Sequence, residues 1–290
     1  MADGTTFLAG EPVAVIVGCG GLGSSIARAL GRRHPLVMVD IDATRLGEVV
    51  EGLEYEGYTV SGESCDITDA EQCRALGVKL SGGPGVRAWA QVAAVGKSIG
   101  SWRKMVEIDF VGARLIADAI GPQMVRGGAA VLISSLASYL PANKPEIDAA
   151  LRDPLNPGFY DTLANAIGYE PDAEEAYNYA KLGINRLAEQ LAVEWGPRGV
   201  RAVSLSPGMI DSPMARAEGA DLPSHDGTNS RKTRADKAKE VPLGRQGSML
   251  EITNVVDFLL SDAASFLTGI DITVDGGHRA RWRGEGVISR

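Results

Sequence analysis

The chain has 290 residues, 44% of them hydrophobic, and a formal net charge of −8. That is enough apolar material for one large core, and the acidic balance argues against nucleic acid or an anionic membrane surface as the main partner. No apolar run reaches the ~18 residues of a membrane span, so no span is expected.

The N-terminal MADGTTFLAGEP lacks the basic-then-apolar pattern of a secretory leader. Cys19, Cys65 and Cys73 have no metal-ligand spacing and are odd in number, which points to reduced thiols in a cytoplasmic protein and to no metal centre. In chain order, the apolar run 12–18 predicts a strand that ends in glycine, and 24–31 a helix stopped by Gly31. Residues 36–40 predict a second strand. The segment 42–53 predicts a helix capped by Asp42. A third strand is expected over 58–66, a weak helix over 69–80 and a fourth strand over 86–96. A long helix is expected over 102–125 and a strand over 127–135. The chain then gives a helix over 172–195, a strand over 199–208, a helix over 252–262 and a last strand over 269–277.

Most of these strands are continuous apolar runs, and they alternate with helices. This is the pattern of a parallel sheet covered on both faces. The fold class is therefore α/β, a doubly wound parallel sheet of about seven strands in a single domain spanning 1–290. Two segments break the rhythm: an insert at 136–171, punctuated by five prolines, and a charged stretch at 213–247 that reads as a mobile flap. Short helices are expected in the insert at 146–153 and 159–168.

GCGGLG, residues 18–23, is a G-x-G-x-x-G between a strand and a helix. Gly18 permits the tight turn, Gly20 lets the backbone approach a pyrophosphate, and Gly23 lets helix and strand pack closely. With Leu22, these residues place a helix N-terminus toward the phosphates. Asp40 ends the second strand, about twenty residues on, next to Ile41. A carboxylate there accepts from ribose hydroxyls and repels a 2′-phosphate, which predicts NAD over NADP. Asp66 and Ile67 follow the third strand, where a carboxylate can meet the adenine amino group or simply cap a loop.

Tyr177 and Lys181 are four residues apart and share a helix face, an arrangement that any long helix also produces without function. The glycine-rich turn, Asp40, Cys65-Asp66-Ile67, Ser134-Ser135 at the end of a strand, Tyr177-x-x-x-Lys181 and SPGMIDSPM from Ser206 occur in a fixed order. Together they resemble the short-chain dehydrogenase/reductase family over residues 12–277. The resemblance implies that Tyr177 is the general acid/base and that Lys181 favours its ionised form and bonds the nicotinamide ribose. It implies that Ser135 steadies the substrate oxygen, with Ser134 as the alternative if the register shifts by one. It further implies that Ala93 lies beside the cofactor, that Pro207-Gly208 opens a cofactor-binding loop, and that Ile210 and Ser212 hold the nicotinamide carboxamide.

The chain departs from the family in several places. Its glycine turn is one residue short, and Ala93-Ala94-Val95-Gly96 stands where N-N-A-G is usual. Asp109 replaces an Asn that orders a water in the proton relay, and so joins the catalytic set. The long insert is similar to that of some bacterial hydroxysteroid dehydrogenase/carbonyl reductase members. In common family tetramers the helices at 102–125 and 172–195 meet a partner subunit, so a homo-oligomer, dimer or tetramer, is expected, with the insert covering or rebuilding that face.

No Arg or Lys is evidently aimed at a substrate carboxylate, and Met209 and Met214 suit an adaptable apolar pocket. The expected substrate is an apolar secondary alcohol or ketone, such as a steroid- or terpenoid-like molecule. The basic tail 278–290 reads as disordered or as a subunit contact. Two other functions fit the same motifs: an idle NAD-binding regulatory protein, and an NAD-dependent epimerase or dehydratase.

Overall fold

In the computed structural model, which describes residues 10–96, 99–217, 221–223 and 231–289, seven parallel strands form the central sheet. The first half of the chain runs β1 (Val13–Val17), α1 (Gly21–Leu30), β2 (Leu36–Asp40), α2 (Ala43–Tyr55), β3 (Val60–Ser64), α3 (Ala70–Ser81) and β4 (Val86–Gln91). Next come α4 (Trp102–Val106), a π-helical turn (Glu107–Val111), α5 (Gly112–Ile120) and β5 (Met124–Ile133). The insert holds a 3₁₀ turn (Leu136–Tyr139), α6 (Pro145–Ala150) and α7 (Phe159–Ile167), and leads to α8 (Ala173–Trp195) and β6 (Arg201–Pro207). Short elements follow: β7 (Ile210–Asp211), α9 (Pro213–Ala217), β8 (Asp221–Pro223), β9 (Arg231–Thr233), α10 (Arg234–Glu240) and β10 (Gly247–Ser248). The chain closes with α11 (Met249–Leu259), β11 (Asp271–Val274) and α12 (His278–Gly284).

The strand order is β3-β2-β1-β4-β5-β6-β11, with every pairing in the sheet parallel. Order reverses between β1 and β4, so the crevice for a ligand opens at the carboxyl ends of those strands. Both faces are covered. One core packs Val15, Trp89 and Leu132 against Phe110, Ile116, Ile184 and Trp195, and the other packs Ile16, Met38 and Val131 against Ile26, Leu30 and Val256. Burial on both faces is why these strands read as unbroken apolar runs.

Caps set several of the helix starts. Asp42 accepts from the N–H groups of Thr44 and Arg45, Asp69 from those of Glu71 and Gln72, and Ser248 forms a reciprocal box with Glu251. α8 departs from the sequence expectation of such a box: Asp172 accepts from the N–H groups of Glu174 and Glu175, but the Glu175 carboxylate turns to the Tyr169 hydroxyl at 2.8 Å.

The helix expected over 102–125 is interrupted by the π turn and stops by Gln123, and β5 begins at Met124 rather than 127. The insert is ordered into the core. Ile147, Leu151, Phe159 and Leu163 are buried, and the Phe159 ring meets Phe110 at 6.0 Å. Within the expected flap, α9, the β8–β9 hairpin and α10 are formed; residues 218–220 and 224–230, and the side chain of Met214, lie outside the described part. The tail is not loose over 278–284: it forms α12, with Trp282 buried against Leu136.

Candidate active site

The switch-point crevice is the mouth of a cavity of ≈ 860 Å³. Gly18, Gly20, Leu22, Gly23, Asp40, Ile41, Asp66, Ile67, Ala93, Ser135, Tyr177, Lys181, Pro207, Gly208, Ile210 and Ser212 all line it. Of the catalytic and cofactor-binding residues singled out from the sequence, Asp109 alone is absent from the lining. It lies one layer deeper, behind Lys181.

The glycines have separable physical roles. Gly18 has φ +105°, and a Cβ there would stand 2.6 Å from the Ala93 nitrogen. A Cβ on Gly23 would collide with the Gly18 carbonyl oxygen, so both positions close the strand–turn–helix junction. Gly20 differs, because a Cβ there would meet nothing within 4 Å. Gly20 also caps α1 without a side chain, which leaves the first-turn N–H groups for an anion.

Asp40 is fixed from two sides. Its Oδ2 accepts from the Cys19 N–H at 2.7 Å and its Oδ1 from the Asp42 N–H at 2.9 Å. A carboxylate has about four lone-pair sites, so acceptor capacity remains toward the cavity. Arg45 pairs with Asp42 at 2.8 Å and reaches Asp40 at 3.9 Å. Burial first, and Asp40 second, push the Cys19 thiol up to about 12, which keeps it protonated beside the crevice. Asp66 uses Oδ1 to accept from both the Thr68 N–H and its hydroxyl, so the loop-capping role is real and it occurs at the cavity wall.

The serine register is separated by hydrogen bonding. Ser134 is buried and donates to the Lys181 carbonyl oxygen at 2.8 Å, tying β5 to α8. Ser135 Oγ accepts from the Ala137 N–H at 3.2 Å as the cap of the 3₁₀ turn, which leaves its hydroxyl proton for another acceptor.

Lys181 is 3% exposed. Its Nζ lies 3.0 Å from Asp109 Oδ2 and 5.3 Å from the centroid of the Tyr177 ring. Burial alone would lower its pKa; the Asp109 carboxylate and then Tyr177 outweigh burial and hold it above the ordinary lysine value. Asp109 Oδ1 accepts from the Val95 N–H at 2.7 Å. The π turn carries this aspartate, and such turns recur at functional sites. A carboxylate in place of the amide therefore makes a buried ion pair with the lysine.

Two models of known families match the chain: "short chain dehydrogenase" over residues 12–145 and "Enoyl-(Acyl carrier protein) reductase" over residues 162–279. The chain belongs to the short-chain dehydrogenase/reductase family. The stretch between the two matches, 146–161, falls inside the insert. Human dehydrogenase/reductase SDR family member 4 is 28% identical over 289 residues, with 94% of this chain and 89% of that protein covered. Cis-4-hydroxycyclohexanecarboxylate dehydrogenase from Sinomonas cyclohexanicum is 26% identical, with 93% and 97% covered. Among solved structures, a short-chain type dehydrogenase/reductase from Mycobacterium ulcerans superposes with a TM-score of 0.72 at 25% identity, covering 93% of this chain and 90% of that one. The protein is thus a dehydrogenase/reductase of a fold family that binds a nicotinamide cofactor.

This short-chain dehydrogenase/reductase has cavity residues that the motifs did not point to. Asn178 lines the cavity with a buried Oδ1 that has no hydrogen-bond partner. Lys237 of α10 and His278 and Trp282 of α12 form more of its wall. Their only signal in the sequence was position: His278 directly follows the Gly276-Gly277 pair after β11. Among the described residues no helix is long and apolar enough to cross a membrane, and no group of three or more His, Cys, Asp or Glu side chains is placed to hold a metal ion.

Proposed function

We propose that the protein is an NAD(H)-dependent oxidoreductase that interconverts a secondary alcohol and a ketone. The observation that carries this reading is the convergence of Ser135, Tyr177 and Lys181 on the cavity that also holds the glycine turn and Asp40. The residues suit a dinucleotide. Open space above Gly20 and uncapped N–H groups of α1 suit a pyrophosphate, and Asp40, backed by two N–H donors, suits the adenosine ribose. A 2′-phosphate would meet the Asp40 carboxylate, while Arg45 is already engaged by Asp42. Ile41, Asp66 and Ile67 would flank the adenine, and Ala93, Pro207, Gly208, Ile210 and Ser212 the nicotinamide end.

A bound nicotinamide dinucleotide supplies hydride exchange at the carbinol carbon. The protein supplies the rest. The Ser135 hydroxyl donates to the substrate oxygen and fixes its position. The Tyr177 hydroxyl moves the proton to or from that oxygen. The Lys181 ammonium stabilises negative charge developing on the phenolic oxygen, and Asp109 holds that ammonium in place. Asp109 is therefore a positioning residue in this mechanism. We also propose that the protein acts in the cytoplasm as a homo-oligomer built from a single domain, consistent with its three buried free thiols.

The test is reduction of NAD by the wild type and Tyr177→Phe over a panel of secondary alcohols. The variant should lose about 10²–10⁴-fold in kcat and still bind NADH normally. Near-wild-type turnover would remove Tyr177 from the acid/base role.

A further inference from the structure

The last helix of the chain, α12, forms a wall of the cavity. Trp282 is its largest side chain, is 7% exposed, and lines the cavity together with His278, Leu136 and Leu140. His278 and Trp282 are one turn apart, so they share a helix face, and their rings pack with centroids 4.7 Å apart. Leu136 directly follows Ser135, the serine assigned to the substrate oxygen, and joins Trp282 and Ile288 in one apolar cluster. Asp40 stands at the end of β2, three strands away from β5 in the sheet, which is roughly 14 Å at the usual strand spacing. The indole therefore borders the substrate end of the cavity and not the adenosine end.

This wall is fastened on three sides. Gly276, at φ +63°, and Gly277, at φ +90°, turn the chain from β11 into α12, and a Cβ on Gly276 would stand 2.7 Å from Val241 Cγ1. Asp275 accepts from the Gly277 N–H at 2.9 Å and the Arg279 N–H at 2.6 Å. The Arg279 guanidinium lies 3.9 Å over the Tyr139 ring, whose hydroxyl donates to Asp271 at 2.6 Å. Arg281 donates to the Glu240 carbonyl oxygen at 2.9 Å. A helix tied to β11, to the 3₁₀ turn and to α10 presents Trp282 as a fixed limit on size, not as a lid.

We propose that Trp282 determines substrate specificity: it closes the cavity beyond Leu136 and limits how far an apolar body can extend from the carbinol carbon. The cavity of ≈ 860 Å³ must hold a dinucleotide as well as the substrate, and a site for one drug-sized ligand alone takes roughly 300–1,000 Å³. The substrate class is then a secondary alcohol or ketone with a compact apolar body, the size of one ring. This narrows the expectation of a steroid- or terpenoid-like substrate to its small end. The inference rests on the oxidoreductase reading for the reacting oxygen, but the contact between Trp282 and the apolar body does not.

The test compares the wild type, Trp282→Leu, Trp282→Phe and Ile288→Ala on two compact alcohols, cyclohexanol and 4-methylcyclohexanol, and two bulky ones, 4-tert-butylcyclohexanol and 4-cyclohexylcyclohexanol, with NAD. Ile288 is buried in the same cluster as Trp282 but does not line the cavity, so its variant reports what loosening the tail does by itself. Trp282→Leu should raise kcat/KM for the bulky alcohols relative to the compact ones by about tenfold or more, and Trp282→Phe by less. Ile288→Ala should leave that ratio unchanged. Contact is read without turnover. The chain has four tryptophans, so 5-fluorotryptophan labelling gives four ¹⁹F signals, with that of Trp282 assigned through Trp282→Phe. The matching ketones, which NAD cannot reduce, are titrated into the protein with NAD present, and 4-methylcyclohexanone should move the Trp282 signal. The proposal is overturned if no ketone moves that signal, if the size ratio is the same in Trp282→Leu as in the wild type, or if Ile288→Ala changes it as much. A Trp282 signal that moves while no alcohol yields NADH would keep the contact and defeat the hydride-transfer reading instead, and the size limit is then read from the ratio of the ketone Kd values.

Discussion

Asp109 and Lys181 carry the tension at the residue scale. Two opposite charges, both essentially buried, sit 3.0 Å apart next to the tyrosine assigned to proton transfer. Removing one member of such a pair leaves the other charge uncompensated, at a cost of about 3–5 kcal/mol. Asp109→Leu should lower the unfolding free energy by that order, measured by urea denaturation. Asp109→Asn should cost less, because an amide oxygen can still accept from the Val95 N–H. An Asp109→Leu protein as stable as the wild type would mean that the pair is not formed in solution. The sequence marked Asp109 only through the family resemblance, as a departure from a usual Asn. That it faces Lys181 rather than the cavity depends on the π turn, a backbone feature with no residue pattern of its own. The resemblance favoured Ser135 and kept Ser134 as the alternative, and the two differ in hydrogen bonding, Ser134 donating to the Lys181 carbonyl and Ser135 accepting from the Ala137 N–H.

Elements with a strong local signal were legible: the apolar strands β1, β2 and β6, the Asp-capped α2, and the glycine turn. What escaped was set by contacts distant in sequence. The helix over 102–125 was read as continuous because its apolar spacing is continuous, yet it breaks where Asp109 turns inward. The two short helices of the insert were expected, but their place in the core was not, since prolines punctuate the segment: Ile147, Leu151, Phe159 and Leu163 are buried in the same core as α5 and α8. Phe159 is fully enclosed beside Phe110. Phe159→Ala should therefore destabilise the fold by about 3–5 kcal/mol, a core-sized effect. A loss under about 1 kcal/mol in urea titration would show that the insert is only draped on the surface, since surface changes usually fall within about 0.5 kcal/mol. The tail was misread for a related reason: its arginines dominate the composition, while His278, Trp282 and Ile288 turn inward.

For the whole molecule, the insert packs against α4 and α8, where Arg103 pairs with Asp161 at 3.0 Å and Arg186 with Asp148 at 2.8 Å; the family resemblance implies that these helices meet a partner subunit. Deleting residues 142–168 should change the assembly state seen by light scattering, and an unchanged mass would separate the insert from assembly. Stability should also depend on pH through the half-buried His34 and the buried His278. Burial first holds His34 and His278 below the ordinary value of 6.5. The unfolded chain then takes up protons before the folded one as pH falls below 6.5, so stability is full above that value and declines toward the lower folded pKa values. His278→Phe should flatten this acid-side decline, and a pH slope identical to wild type would mean that His278 is not held neutral. The proposed cofactor choice bears on the central claim, because it rests on Asp40. The decisive experiment is calorimetric titration of cofactor-free protein with NADH and then with NADPH. The account predicts tight binding of NADH and weak binding of NADPH, with the preference lost in Asp40→Ala. Equal or tighter binding of NADPH would contradict the role given to Asp40, and no binding of either would contradict the oxidoreductase reading itself.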